Sequence, residues 1–237
     1  MKVRIRYSKL GKVRFLGNLD VTRIWERSLR KAAVPVAYST GFSPRPRLSF
    51  GLALPMAAGS IAEYVDIEFA TDVPLEGLAS RLSEALPVGF DVMALAEKFP
   101  GQVSLQEDVV ACDWELELVG MSQAQASDAV SGALGAPELL LERERKGERS
   151  TDNVRHSIES LSIQSADRTV ITARLATVGR GLRPAELVGV LFPGLGDITD
   201  TVRSVLRTEQ WIERDGARRE LLPVPAAVIA PTELVGA

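Results

Sequence analysis

Residues 3–7, VRIRY, alternate apolar and basic side chains with the period of two that marks a half-buried strand. Gly11 and Lys12 read as a turn, and VRFL, residues 13–16, extends or pairs with that strand. From Asn18, a side chain suited to an N-cap, the period lengthens. Val21, Ile24, Trp25, Ser28 and Ala32 share one helical stripe as far as about Ala33, and Pro35 stops the helix. VAYS (36–39) and RLSFGLAL (47–54) read as extended segments around a proline turn, and AEYVDIEF (62–69) alternates cleanly as a strand. VPLEGLASRLSEAL (73–86) is helical with Leu75, Leu78 and Leu82 inward, and GFDVMALAEKF (89–99) follows as a strand. Strand, helix, two strands, helix, strand is the order of a ferredoxin-like split βαβ unit.

The order recurs after a polar connection from Pro100 to Asp108. CDWELELVG is a strand with Trp114, Leu116 and Leu118 on one face, and SQAQASDAVSGALG is a helix with Ser122 as its cap. ELLLERER is a strand leading into the polar segment KGERSTDNVRH. SIESLSIQ and TVITARLA form a hairpin, RPAELVGVLF a helix with Pro184 in its first turn, and VRSVLRTEQWIER a last strand. The expected architecture is α+β, two ferredoxin-like halves in tandem, spanning residues 1–100 and 109–215. The second half holds more segments than one such unit needs. Residues 216–237 are expected to be a tail, flexible or docked, rich in Pro and Ala.

Composition changes this picture little: 46% hydrophobic and 25% charged residues are ordinary for a soluble globular protein. No run of 18 apolar residues suggests a membrane span, and the N-terminus lacks the apolar core of a signal peptide. One cysteine, Cys112, excludes an internal disulfide framework and suits a reducing cytoplasm. One cysteine and one histidine, His156, are too few for an iron–sulfur cluster or a usual zinc site, so neither metal nor cofactor is expected. No phosphate-binding glycine loop, serine elbow or metal-ligand spacing is present.

Charge changes it more. The net charge is −3, yet residues 1–50 hold twelve Lys and Arg against two Asp and Glu. The remaining residues hold sixteen basic against twenty-nine acidic side chains. Such segregation implies a field at one surface and an anionic partner, unless the basic residues neutralise acids folded against them.

The candidate chemistry lies in YSTGFSPRPRLSF. Gly41 permits a backbone angle that side chains disfavour, and Pro44 and Pro46 fix theirs, so the loop is stiff. Ser39 and Ser43 add turn-forming polar groups. A stiff loop positions Arg45 and Arg47 to fork onto phosphates, and Phe42 offers a stacking face for an unpaired base. Arg4, Arg6 and Arg14 on the first strand and turn, with Arg23, Arg27, Arg30 and Lys31 on the helix, extend the basic face. The competing reading pairs the loop arginines with Glu63 or Asp66, and the helix stripe with Asp20 and Glu26. Asp152, Arg155 and His156 form a second candidate polar site. A lone histidine with no placed partner is a poor catalyst, and Cys112 reads as core.

The stretch from Arg14 to Phe69 resembles the N-terminal signature of the radical-SAM-associated protein family. The resemblance rests on Leu19-Asp20, on Arg23, Arg27 and Arg30, on the loop Tyr38 to Pro46, and on Glu63-Tyr64. DNVR and RPAELVGVL match more loosely. Two departures stand out: Gly17-Asn18 where the family has Ser-His, and Ser43 where it has Asn. The resemblance implies a radical SAM enzyme as a separate partner chain, with this chain as its accessory, near tRNA or rRNA modification. A weaker architectural similarity is to CRISPR repeat-processing endoribonucleases.

Three functional expectations follow. The first is a non-catalytic RNA-binding accessory protein. The second is a metal-independent endoribonuclease. The third is a module that docks its basic face on an acidic enzyme surface without RNA.

Overall fold

The computed structural model describes residues 1–98, 103–145, 147–165, 167–194 and 201–222. Part of the expected polar connection and the tail PVPAAVIAPTELVGA lie outside the described residues. The chain is a mixed α+β protein whose strands pair mostly antiparallel. It divides into two units, Met1–Val109 with Ile212–Ala237, and Val110–Trp211. No described helix is long and apolar enough to cross a membrane.

In the first unit β1 (Lys2–Lys9), α1 (Asn18–Lys31), β2 (Leu48–Phe50), β3 (Gly59–Glu68), α2 (Leu78–Ala85) and β4 (Phe90–Glu97) follow in that order. The strands lie side by side as β4-β1-β3-β2, every neighbour antiparallel. Alternation sends Val3, Ile5 and Tyr7 of β1 and Val65 and Ile67 of β3 into one core with Val21, Trp25 and Leu29 of α1 and Leu78 and Leu82 of α2. Trp25 is fully buried and meets Tyr7 edge-on at 5.0 Å between ring centroids. Burial of one such side chain stabilises the fold by about 1.5–3 kcal/mol.

The opposite face of this sheet is covered too. Ala62 and Tyr64 form a second cluster there with Leu105 from the short helix α3 (Leu105–Asp108), and Leu221 and Leu222 pack against it. Residues expected in the tail thus include packed side chains. Ala217–Glu220 form a strand that pairs with the end of the long strand Val202–Arg214. The turn between them, Asp215-Gly216, has φ of 53° and 72°, the pair of positive angles a two-residue type I′ hairpin needs.

Two expected boundaries shift. Gly17, not Asn18, caps α1: its carbonyl accepts from the amides of Asp20 and Val21. VAYS forms only isolated bridges, Val36 to Phe69 and Tyr38 to Pro46, because prolines at 35, 44 and 46 cannot donate to a ladder. Between β1 and α1 runs a 3₁₀ turn, Gly11–Phe15. It is seated by Gly89 (φ 98°), whose carbonyl accepts from Leu10 and where a Cβ would stand 2.6 Å from the Leu10 carbonyl oxygen.

In the second unit β5 (Val109–Leu118), α4 (Gln123–Gly135), β6 (Leu140–Arg145), β7 (Glu148–Asn153), β8 (Ile158–Ser165), β9 (Thr169–Ala176), α5 (Pro184–Leu191) and β10 (Val202–Arg214) follow. Four of these strands are ordered β10-β5-β9-β8. The surplus segments are β6 and β7, a separate two-stranded hairpin between α4 and β8, so KGERSTDN is largely strand. Ser122 caps α4 in a box with Gln125. Trp114, Leu116, Ile171, Ala173 and Leu175 are buried, as are Val130 and Leu187 on the helices.

Candidate nucleic-acid interface

Burial of Val21, Trp25, Ser28 and Leu29 fixes the rotation of α1 and leaves Arg23, Arg27 and Arg30 exposed. Arg23 stands 3.6 Å from Asp20, a solvent-screened pair of small energetic weight. The spacing of Glu26 and Arg30 also permits a pair, but none forms: among the described residues neither Arg27 nor Arg30 makes an ion pair. At about 1.5 Å rise per residue, Arg23, Arg27 and Arg30 line roughly 10 Å of helix. Lys31 donates to the Glu84 carbonyl at 3.2 Å, which ties it to the end of α2.

Beyond α1 the chain enters the proline-arginine loop, and its neck is closed from both sides. The Ser39 amide donates to the Arg45 carbonyl at 2.9 Å, and the Arg45 amide donates to Ser39 Oγ at 3.0 Å. Below this clip the Arg47 amide donates to the Ala37 carbonyl, and the Glu68 amide to the Arg47 carbonyl, so the loop is rooted on β3. Residues 40–44 form the tip, where Gly41 has φ 131° and Ser43 and Pro44 are exposed. Phe42 is fully exposed and Tyr38 is 46% exposed. The Arg45 side chain makes no hydrogen bond or ion pair among the described residues, whereas Arg47 meets Glu68 at 3.1 Å. The hydrogen bond from Lys2 to the same carboxyl, aided by the charges of Lys2 and Arg47, holds Glu68 below the ordinary 4.5 against the opposing effect of burial.

Arg4 and Arg6, expected on the binding face, are inside the fold. Arg4 forks onto Asp66 at 2.8 and 3.0 Å, and Lys98 reaches the same carboxylate at 2.8 Å. Arg6 donates to the carbonyls of Ile61 and Leu222 and lies over the Tyr64 ring at 6.0 Å. The physical reason is the cover on the second sheet face, which turns an outward strand position into an interior one. Arg14 stays half-exposed, its guanidinium 4.8 Å from the ring centre of the exposed Phe15. Of the expected basic set, Arg14, Arg23, Arg27, Arg30, Lys31 and Arg45 therefore stay available to a partner, with Arg47 shared.

A family model described as an uncharacterized protein conserved in bacteria (DUF2344) matches residues 2–184. The chain belongs to that family. The span matched to DUF2344 takes in the loop, all of α1 and the hairpin of the second unit. No curated protein matches the chain. Among solved structures, a chain of a Cbf5-Nop10-Gar1 complex is similar at 9% identity and a TM-score of 0.47, over 88% of this chain and 48% of that one. This chain thus spans about half of that chain's length.

In the second unit Asp152, Arg155 and His156 are not brought together. Arg155 donates to the carbonyls of Ile158 and Leu134, the latter at the end of α4. His156 is exposed and has no side-chain partner among the described residues. Asp152 belongs to a cluster that motif spacing does not single out. Arg143 donates to Asp152, to both carboxylate oxygens of Glu186 and to the Gly181 carbonyl, and Arg180 also meets Asp152 at 2.8 Å. Burial raises the Glu186 pKa, but the Arg143 hydrogen bond and the Arg183 amide outweigh it and hold the carboxyl below 4.5. This cluster braces β6 and β7 against α5 and presents no unsatisfied cation. Among the described residues no group of three His, Cys, Asp or Glu side chains is placed to hold a metal ion.

Proposed function

We propose that this chain is a non-catalytic RNA-binding protein that grips single-stranded or looped RNA with the first unit and serves a separate radical SAM enzyme as accessory. The observation that carries the RNA reading is the clipped loop. Its neck holds Arg45 between two prolines with no side-chain partner among the described residues, and the same loop carries the fully exposed Phe42. Arg27 and Arg30 carry charge of the same kind on α1. Unpaired cations and an exposed ring on one loop and helix suit phosphates and unpaired bases, which are recognised by charge and stacking together. Against this, the buried second face of the first sheet offers no open platform, so the grip is made by the helix and the loop.

We also infer that each unit is a ferredoxin-like half. The strand orders β4-β1-β3-β2 and β10-β5-β9-β8 support it, with β6 and β7 as an insertion in the second half. The enzyme partner rests on the resemblance of the N-terminal signature alone.

The test is an anisotropy titration of labelled single-stranded RNA at several salt concentrations, wild type beside Arg27→Ala/Arg30→Ala/Arg45→Ala. Binding should weaken steeply with salt, and the triple variant should lose about 0.7 of logarithmic slope per phosphate contact removed. Salt-insensitive binding, or a variant that binds as the wild type does, would overturn the reading. Should the protein hold the enzyme but no RNA after nuclease treatment, the basic face is a protein-docking surface.

A further inference from the structure

On β5, the alternation that buries Trp114 and Leu116 places Asp113, Glu115 and Glu117 together on the other side of the strand. The two outer carboxylates are matched with arginine. Arg174 forks onto Asp113 at 2.7 and 2.8 Å and stacks on Trp211 at 4.2 Å. Arg168 and Arg203 stand at 3.6 and 3.4 Å from Glu117, and Ser204 Oγ lies 3.3 Å away. The middle carboxylate has no such partner. Its cross-strand neighbour is Thr172, where Asp113 has Arg174. Among the described residues Glu115 makes no hydrogen bond or ion pair, and burial alone raises its pKa.

Glu115 also lines a cavity of about 230 Å³ in this unit. Ser160 and Gln164 of β8, Thr172 of β9 and Thr208 of β10 supply its hydroxyl and amide groups. Thr172 is held in place by a 2.6 Å contact with Ser162. The charged lining is two carboxylates and one arginine, and that arginine is engaged by Asp113. What remains unmet is one negative charge, half sunk in the wall and ringed by groups that can accept a hydrogen bond. Removing a carboxylate from water without a partner is unfavourable, and a bound cation reverses that cost. The volume is below the range of drug-sized pockets, so it suits a small head group.

We propose that this cavity binds a small organic cation with N–H donors, an ammonium or a guanidinium, which takes at Glu115 the position that arginines take at Asp113 and Glu117. The site lies in the second unit, uses none of the residues assigned to RNA, and stands whether or not RNA binds.

Calorimetric titration of the full chain with n-butylammonium, ethylguanidinium and tetraethylammonium tests this. The first two carry N–H donors and the third carries the same charge with none. The N–H cations should bind at least tenfold more tightly than tetraethylammonium. Glu115→Gln should lose at least tenfold in affinity, and Thr172→Arg, which supplies a guanidinium from within, should abolish binding. Preference for ethylguanidinium marks a forked contact, and preference for butylammonium a point charge. Absence of heat with every probe, equal binding of tetraethylammonium, or unchanged affinity in Glu115→Gln overturns the proposal. If Glu115→Gln does not fold, Thr172→Arg decides alone: unaltered binding there is equally fatal.

Discussion

β1 and β5 hold the same place in the strand order of their units, each flanked by the last and the third strand of the four. Both bury apolar side chains on one side and carry charged ones on the other. In β1 the outward charges are Arg4 and Arg6, and both are covered: Asp66 and Lys98 close on Arg4, Tyr64 and Leu222 on Arg6. In β5 the outward charges are Asp113, Glu115 and Glu117, and they line a cavity or meet half-exposed arginines. A charged strand position therefore does not say whether its charge seeks a partner. What covers the face decides, and in the first unit part of that cover comes from residues more than two hundred positions later in the chain.

The contrast can be broken most directly at the acids. Asp66→Ala strands a buried guanidinium and should destabilise the first unit by about 3–5 kcal/mol in urea unfolding. Asp113→Ala breaks a pair whose side chains are 29% and 26% exposed, and should cost about 1 kcal/mol or less. Equal losses would mean that cover is not what separates the two strands.

Acid acts selectively within the second unit. Glu186 is held below its ordinary 4.5, so its contribution is complete above that value and is lost as pH falls through the lower folded value. Amide-exchange protection of β6 and β7 should therefore drop below about pH 4.5, while the first unit's core strands keep theirs. Loss of protection on raising the pH would contradict the sign.

The smallest effect on stability is expected at the surface set. Arg27→Ala and Arg45→Ala should each change unfolding free energy by no more than about 0.5 kcal/mol. A larger loss at Arg45 would make it part of the loop's own architecture and weaken its assignment as an RNA contact.

Much of this was open to inspection in the chain itself. Period two in VRIRY and CDWELEL, period 3.6 from Val21 to Ala32, and prolines at 35 and 184 locate the elements because they are local constraints. The Asp-Gly pair at 215–216 is also a local signal, one that announces a hairpin at the start of a tail expected to be flexible or docked. The hairpin of β6 and β7 was less legible, since LERER and ERSTDN carry charge on both faces and no apolar stripe.

Side-chain periodicity, set within a few residues, made the apolar side of each strand and helix readable from the chain alone, and glycine and proline marked Tyr38 to Pro46 as a loop. Which arginines are interior follows from the packing of distant segments. Arg4 and Arg45 are alike as residues, but Arg4 lies opposite Asp66 under a packed cover while Arg45 stands exposed at a clipped neck, its side chain without a partner among the described residues. The same holds for Glu115: it faces Thr172 where Asp113 faces Arg174, while Glu117 is met by Arg168 and Arg203. Charge pairing depends on distance in space, and strands distant in sequence set that distance.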